Sequence, residues 1–118
     1  MSSTSIRMKR ASSESLDTLS STLTADMEGT GAELAFRNLR AEGDTEVLLM
    51  VFEKYYMRTG SYAALVIECI SSGNEQKAVI VGTAGGAGIW NISYGANNSF
   101  VQDAERILEH YGFEDITD

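Results

Sequence analysis

The chain has 118 residues, 43% of them hydrophobic and 22% charged, which suits one packed core and leaves too little sequence for two. The formal net charge is -8, and residues 41–118 carry the whole excess, because Arg7, Lys9, Arg10, Arg37 and Arg40 balance Glu14, Asp17, Asp26, Glu28 and Glu33. An acidic body repels phosphate backbones and anionic lipid, so neither nucleic acid nor a membrane surface is an expected partner, and the cluster Arg7, Lys9, Arg10 reads as solvated cations.

Cys69 is the one cysteine, which excludes an internal disulfide framework and a multi-cysteine zinc site and suits a reducing compartment. The longest apolar run, Val47 to Phe52, is far below the ~20 residues that cross a bilayer, and the first residues lack the apolar core of a signal peptide. The expectation is a cytoplasmic, bacterial protein of one domain spanning 1–118. With no proline in the chain, its turns fall to Gly, Asn, Asp and Ser.

Residues 1–5 are Ser/Thr-rich and read as disordered, while Ser5 to Arg10 alternates apolar and basic residues as a short edge strand does, so the N-terminus is either frayed or an extra strand. Leu16, Leu19, Leu23 and Met27 recur at helical spacing, with Ser12 or Ser13 able to cap, and predict a helix over about 13–26. After Gly29-Thr30-Gly31, the residues Ala32, Leu34 and Phe36 alternate with Glu33, Ala35 and Arg37 as a half-buried strand. Glu42-Gly43-Asp44 reads as a turn into a long strand over 46–58. Its first half is apolar on both faces, Val47, Leu49 and Val51 on one and Leu48, Met50 and Phe52 on the other. Such a strand is covered on both sides, or covered on one and used for association on the other.

Thr59-Gly60-Ser61 closes a hairpin, and the return strand puts Ala63, Leu65, Ile67 and Cys69 on its core face. Ser72-Gly73-Asn74 makes the next turn, and Ala78 to Val81 a short strand. Ile89 to Tyr94 alternates as a fifth strand with Trp90, Ile92 and Tyr94 on one face. Ser99 and Gln102 then match a capping box for a helix over about 99–111 that Gly112 ends. The fold expected is α+β, an antiparallel meander of about five strands with an N-terminal and a C-terminal helix packed on it.

Two stretches carry a family resemblance: Phe52-Glu53-Lys54-Tyr55-Tyr56-Met57-Arg58 with Gly60 and Ala63-Ala64-Leu65, and Gly85-Gly86-Ala87-Gly88 with Gly95-Ala96 and Phe100-Val101. Together, over residues 5–112, the chain resembles a family of small bacterial proteins of unknown function. The resemblance implies a strand, helix, meander and helix in that order, and brings no activity, cofactor or catalytic residue. A longer, serine-rich N-terminus sets this chain apart.

Catalytic signals are weak. The glycine run 85–88 precedes an expected strand and lacks a following Lys-Ser/Thr, so it reads as a hairpin with permissive backbone and not as a nucleotide loop, with a backbone nest for a small anion as the alternative. His110 falls in the last turn of the C-terminal helix, Cys69 on an apolar face, and no serine lies in a nucleophile elbow. No cofactor, metal site or enzyme chemistry is expected.

For binding, the hairpin suggests one candidate surface. If Arg58 pairs with Tyr62, then Tyr56 faces Ala64, Lys54 faces Val66 and Phe52 faces Glu68, which gathers Lys54, Tyr56, Arg58, Tyr62 and Glu68 on one face and sets Glu68 diagonal to Lys54 as an ion pair. Aromatic rings among charges suit an interface. The reading is a non-enzymatic interaction or self-association module, with a homo-oligomer or protein partner. The alternative is a small-ligand binder with a pocket between sheet and C-terminal helix, lined by Trp90, Tyr94, Phe100 and Tyr111.

Overall fold

The computed structural model describes residues 3–57, 60–84 and 90–117. The chain runs β1 (Ser3–Ala11), α1 (Leu16–Gly29), β2 (Glu33–Glu42), β3 (Thr45–Tyr56), β4 (Ser61–Ser72), β5 (Glu75–Ala84), α2 (Trp90–His110) and β6 (Glu114–Asp115). One antiparallel sheet has the order β2-β3-β4-β5-β1-β6, so the α+β class holds and the meander proper is β2 to β5. The N-terminal edge strand exists, begins at Ser3 inside the stretch expected to fray, and pairs along β5 from Ser3 opposite Thr83 to Ala11 opposite Glu75.

That pairing corrects the fifth strand. Once β1 occupies the free edge of β5, no edge is left there for residues 90–94, which leave the sheet and form the first turns of α2. Ser99 therefore lies inside the helix and caps nothing. Ile89 and the glycine run 85–88 fall outside the described residues.

The remaining helix termini follow their chemistry. Ser15 caps α1 by accepting from the Asp17 amide at 3.1 Å, and Glu46 reaches across from β3 to accept from the Leu16 amide at 3.0 Å, so two otherwise orphaned donors are satisfied. Both helices end alike: after α1 the Gly31 and Ala32 amides return to the Glu28 and Met27 carbonyls, and after α2 the Gly112 and Phe113 amides return to Glu109 and Leu108. This closure needs left-handed backbone at its centre, with φ of 96° at Gly31 and 97° at Gly112.

Both helices cover the same face of the sheet. Leu16, Leu19, Leu23 and Met27 of α1 and Phe100, Val101, Ala104 and Leu108 of α2 join Leu48, Met50 and Phe52 of β3, Leu65, Ile67 and Cys69 of β4, and Ile80 of β5 in one fully buried cluster. Burying each such side chain contributes ~1.5–3 kcal/mol, so this single layer supplies the main driving force for folding. A polar clamp closes one end: Arg10 donates to Gln76 Oε1 and to the Tyr111 carbonyl, each at 2.7 Å, lies 4.8 Å from the Phe113 ring centroid, and pairs with Glu14. Gln76, itself fully buried, donates to the Glu14 carbonyl and to Ser71 Oγ, which ties β1, β4, β5 and both helices together.

In β2 the expected alternation is interrupted. A bulge between Leu34 and Phe36 keeps Leu34 against the core and turns Phe36 to the far face, where it is 50% exposed. The same shift aims Arg37 at α1, where it bonds Ser20 Oγ and Asp17.

Candidate functional site

The β3/β4 register decides which candidate residues meet. Tyr56 pairs with Ser61, Tyr55 with Tyr62, Lys54 with Ala63 and Leu49 with Glu68. This differs from the expected hairpin by an odd number of residues, and an odd shift exchanges the faces of one strand relative to the other. Lys54 and Tyr56 accordingly lie on the helix-covered face, while Tyr62 and Glu68 lie on the opposite one. The single surface and the Glu68–Lys54 ion pair are both corrected; Arg58 falls outside the described residues.

Under α2, Lys54 pairs with Asp103 at 3.6 Å, its ammonium 5.2 Å from the Tyr56 ring centroid and 6.0 Å from that of Phe100. Arg106 bonds the other oxygen of Asp103. The Tyr56 phenol is pushed up to about 12, chiefly by burial and secondly by the negative charge of Asp103, against a hydrogen bond with Ser99. These contacts fasten the middle of α2 to the end of β3. The side chains of Lys54 and Asp103 are only 18% and 14% exposed, so they present little surface to a partner.

The aromatics expected to line a ligand pocket divide. Phe100 is fully buried and packs edge-on against Tyr56, and the Tyr111 hydroxyl donates to Asp26 of α1, joining the helices. The Trp90 and Tyr94 side chains lie outside the described residues. Cys69 is fully buried, and burial pushes its thiol up to about 12, so it is a thiol and not a nucleophilic thiolate at neutral pH. His110 is exposed and packs edge-on to Tyr111, with no link to Cys69 among the described contacts. Among the described residues no three His, Cys, Asp or Glu side chains group as metal ligands, and no helix is long and apolar enough to cross a membrane.

The far face of the sheet is the most unusual surface of the molecule. Pairing aligns Phe36, Val51, Val66 and Val81 in one row across β2 to β5, with Leu49 and Val79 in the next and Val47 and Ile70 in the one beyond. Among the described residues no element packs on this side: the valines and Leu49 are half-buried by their neighbours alone, and Phe36, Tyr55, Tyr62 and Ile70 are 41–55% exposed. Tyr55 and Tyr62 face each other across the hairpin end with ring centroids 5.0 Å apart.

Charges border this centre at both ends. On one side Arg40, Lys77 and Lys9 fall in the row of Val47 and Ile70, with Glu114 paired to Lys9, and Glu42 and Glu75 stand in the row beyond. On the other, Glu33 and Glu53 are direct cross-strand partners, an arrangement of like charges that a sheet alone does not favour. Glu68, in the row of Leu49 and Val79, is the one carboxylate within the apolar centre.

Of the residues grouped from the sequence, Tyr62 and Glu68 lie on this face, and the two-sided apolar character of Val47 to Phe52 was legible. It missed Phe36, because the bulge leaves no mark in an alternating pattern. No curated protein matches the sequence. Residues 1–112 match the sequence model of DUF6054, a family of unknown function, and the chain belongs to that family.

Proposed function

We propose that this protein is a non-enzymatic self-association module and that the open sheet face is its interface. The observation that carries the reading is the apolar row Phe36, Val51, Val66 and Val81, which runs unbroken across four strands of that face, on a sheet whose other side is already filled by both helices. Monomers rarely leave contiguous apolar patches beyond ~300–600 Å². Four strands ~4.8 Å apart, each contributing five outward residues spaced ~6.7 Å, make a surface of roughly 19 by 33 Å. Two such surfaces bury about 1,300 Å² in total, within the range of stable interfaces. The tyrosines at its edge add contact area with polar handles.

Cys69 as a buried thiol and the acidic body suit a cytoplasmic setting, as expected from the sequence. Size-exclusion chromatography with light scattering tests the reading. The native chain is expected to form a dimer whose share rises with concentration. Val66→Lys, which puts a cation at the centre, reduces that share, and Glu68→Val, which removes the carboxylate a partner must bury, increases it. A native chain that stays monomeric, unmoved by either change, contradicts the proposal.

A further inference from the structure

Resting on the self-association reading, we infer that the dimer is governed by protons through Glu68: each copy takes one proton from solvent onto the Glu68 carboxylate as the open face is covered, so that association strengthens as pH falls. The inference needs no particular direction for the second copy. Glu68 lies on β4, an inner strand of the sheet, between the row of Phe36, Val51, Val66 and Val81 and the row of Val47 and Ile70. Whatever covers those rows covers it.

Its surroundings on this face are apolar on nearly every side. Leu49 of β3 and Val79 of β5 are its direct cross-strand partners, and Val66 and Ile70 flank it along β4. Three of the four diagonal positions hold valines and the fourth holds Lys77. The other described cations of the face, Arg7 and Lys9 of β1 and Arg40 of β2, stand two strands away, and its nearest carboxylates, Glu53 of β3 and Glu75 of β5, stand two rows away. Among the described residues no ion pair includes Glu68, and Lys77 stands 3.9 Å from Glu75 instead.

Half-buried in one copy, the carboxylate keeps its contact with water; under a second copy it does not. Removing an unpaired ion from water costs far more than removing the neutral acid, so covering the face favours the protonated form. Drawing Lys77 inward to pair with Glu68 would take a second charge out of water and give up Glu75. The sign follows by linkage: the dimer binds more protons than two separate copies, so acid promotes its formation. His110 and Glu105 belong to α2, on the opposite side of the sheet, and are untouched by association through this face.

Sedimentation at constant ionic strength, with folding checked by circular dichroism at each pH, reads the link directly. Between about pH 8 and pH 6 the dissociation constant of the native dimer is expected to fall by about tenfold, since two protons enter per dimer. Glu68→Gln, which keeps the shape and removes the charge, is expected to dimerise more tightly than the native chain at the alkaline end and to lose that dependence. Glu53→Gln, which removes a carboxylate outside the apolar centre, is expected to keep it, and so separates Glu68 from the general easing of acidic repulsion at lower pH. A native dimer of equal affinity at both ends, or one that weakens in acid because Lys77 has lost its partner, overturns the proton link and leaves self-association standing. So does a Glu68→Gln chain that responds to pH as the native chain does. A native chain that is monomeric at every concentration and pH overturns both.

Discussion

Tyr56 sits where β3 passes beneath α2, its ring against Phe100 and its phenol near Asp103. Burial and that carboxylate both disfavour the phenolate, raising the group from 10.0 to about 12. The folded chain therefore holds a proton that the unfolded chain releases, between pH 10 and about 12. Stability from this group is complete below pH 10 and is lost as pH rises through the folded value. Tyr56→Phe removes the titrating group, so urea unfolding of native and variant chains should differ in slope against pH only above pH 10. Equal slopes there show that the phenol ionises as freely in the fold as outside it. The Lys54–Asp103–Arg106 group beside it is exposed only at Arg106, and its role is to place α2, which is why two of the residues chosen from the sequence as surface contacts proved to be fastenings.

At the scale of elements, the clearest sequence signals were those with a local cause. The apolar spacing of α1 and the glycine ending α2 were legible because a helix stripe and a left-handed closure each need a particular residue type within a few positions. A Cβ on Gly112 meets nothing within 4 Å, so its φ of 97° alone sets the cost of replacing it. Gly112→Ala should lower stability by about 1–2 kcal/mol in urea unfolding, whereas an unchanged midpoint would mean that the turn relaxes. What was not legible depended on partners distant in sequence. Trp90, Ile92 and Tyr94 alternate as a strand does, but the edge they would have joined is taken by β1, more than 70 residues earlier in the chain. The β3/β4 register was ambiguous because both faces of β3 are apolar: pairing the core face of β4 with Leu48, Met50 and Phe52 or with Val47, Leu49 and Val51 satisfies the same hydrophobic pattern. Only the helices, by covering one face, distinguish them.

Taken whole, the molecule is a one-sided sandwich. Both helices lie on one side of a six-stranded sheet, and among the described residues the two-sided strand that the sequence left open between full cover and association is covered on one side only. On the proposed account the half-buried valines of β3, β4 and β5 meet those of a second copy. The candidate site was thus half legible. The apolar doubleness of Val47 to Phe52 announced a second surface, while the residues first grouped as that surface were divided between the two faces by one odd step in register.

The most direct test is residue-resolved. In NMR with a soluble paramagnetic probe, the methyl groups of Val51, Val66 and Val79 are expected to be shielded at high protein concentration and to broaden on dilution, with Val101, which is fully buried in the core, shielded throughout as the internal reference. If the three valines broaden equally at every concentration while Val101 stays protected, the open face remains in water and the self-association account is wrong.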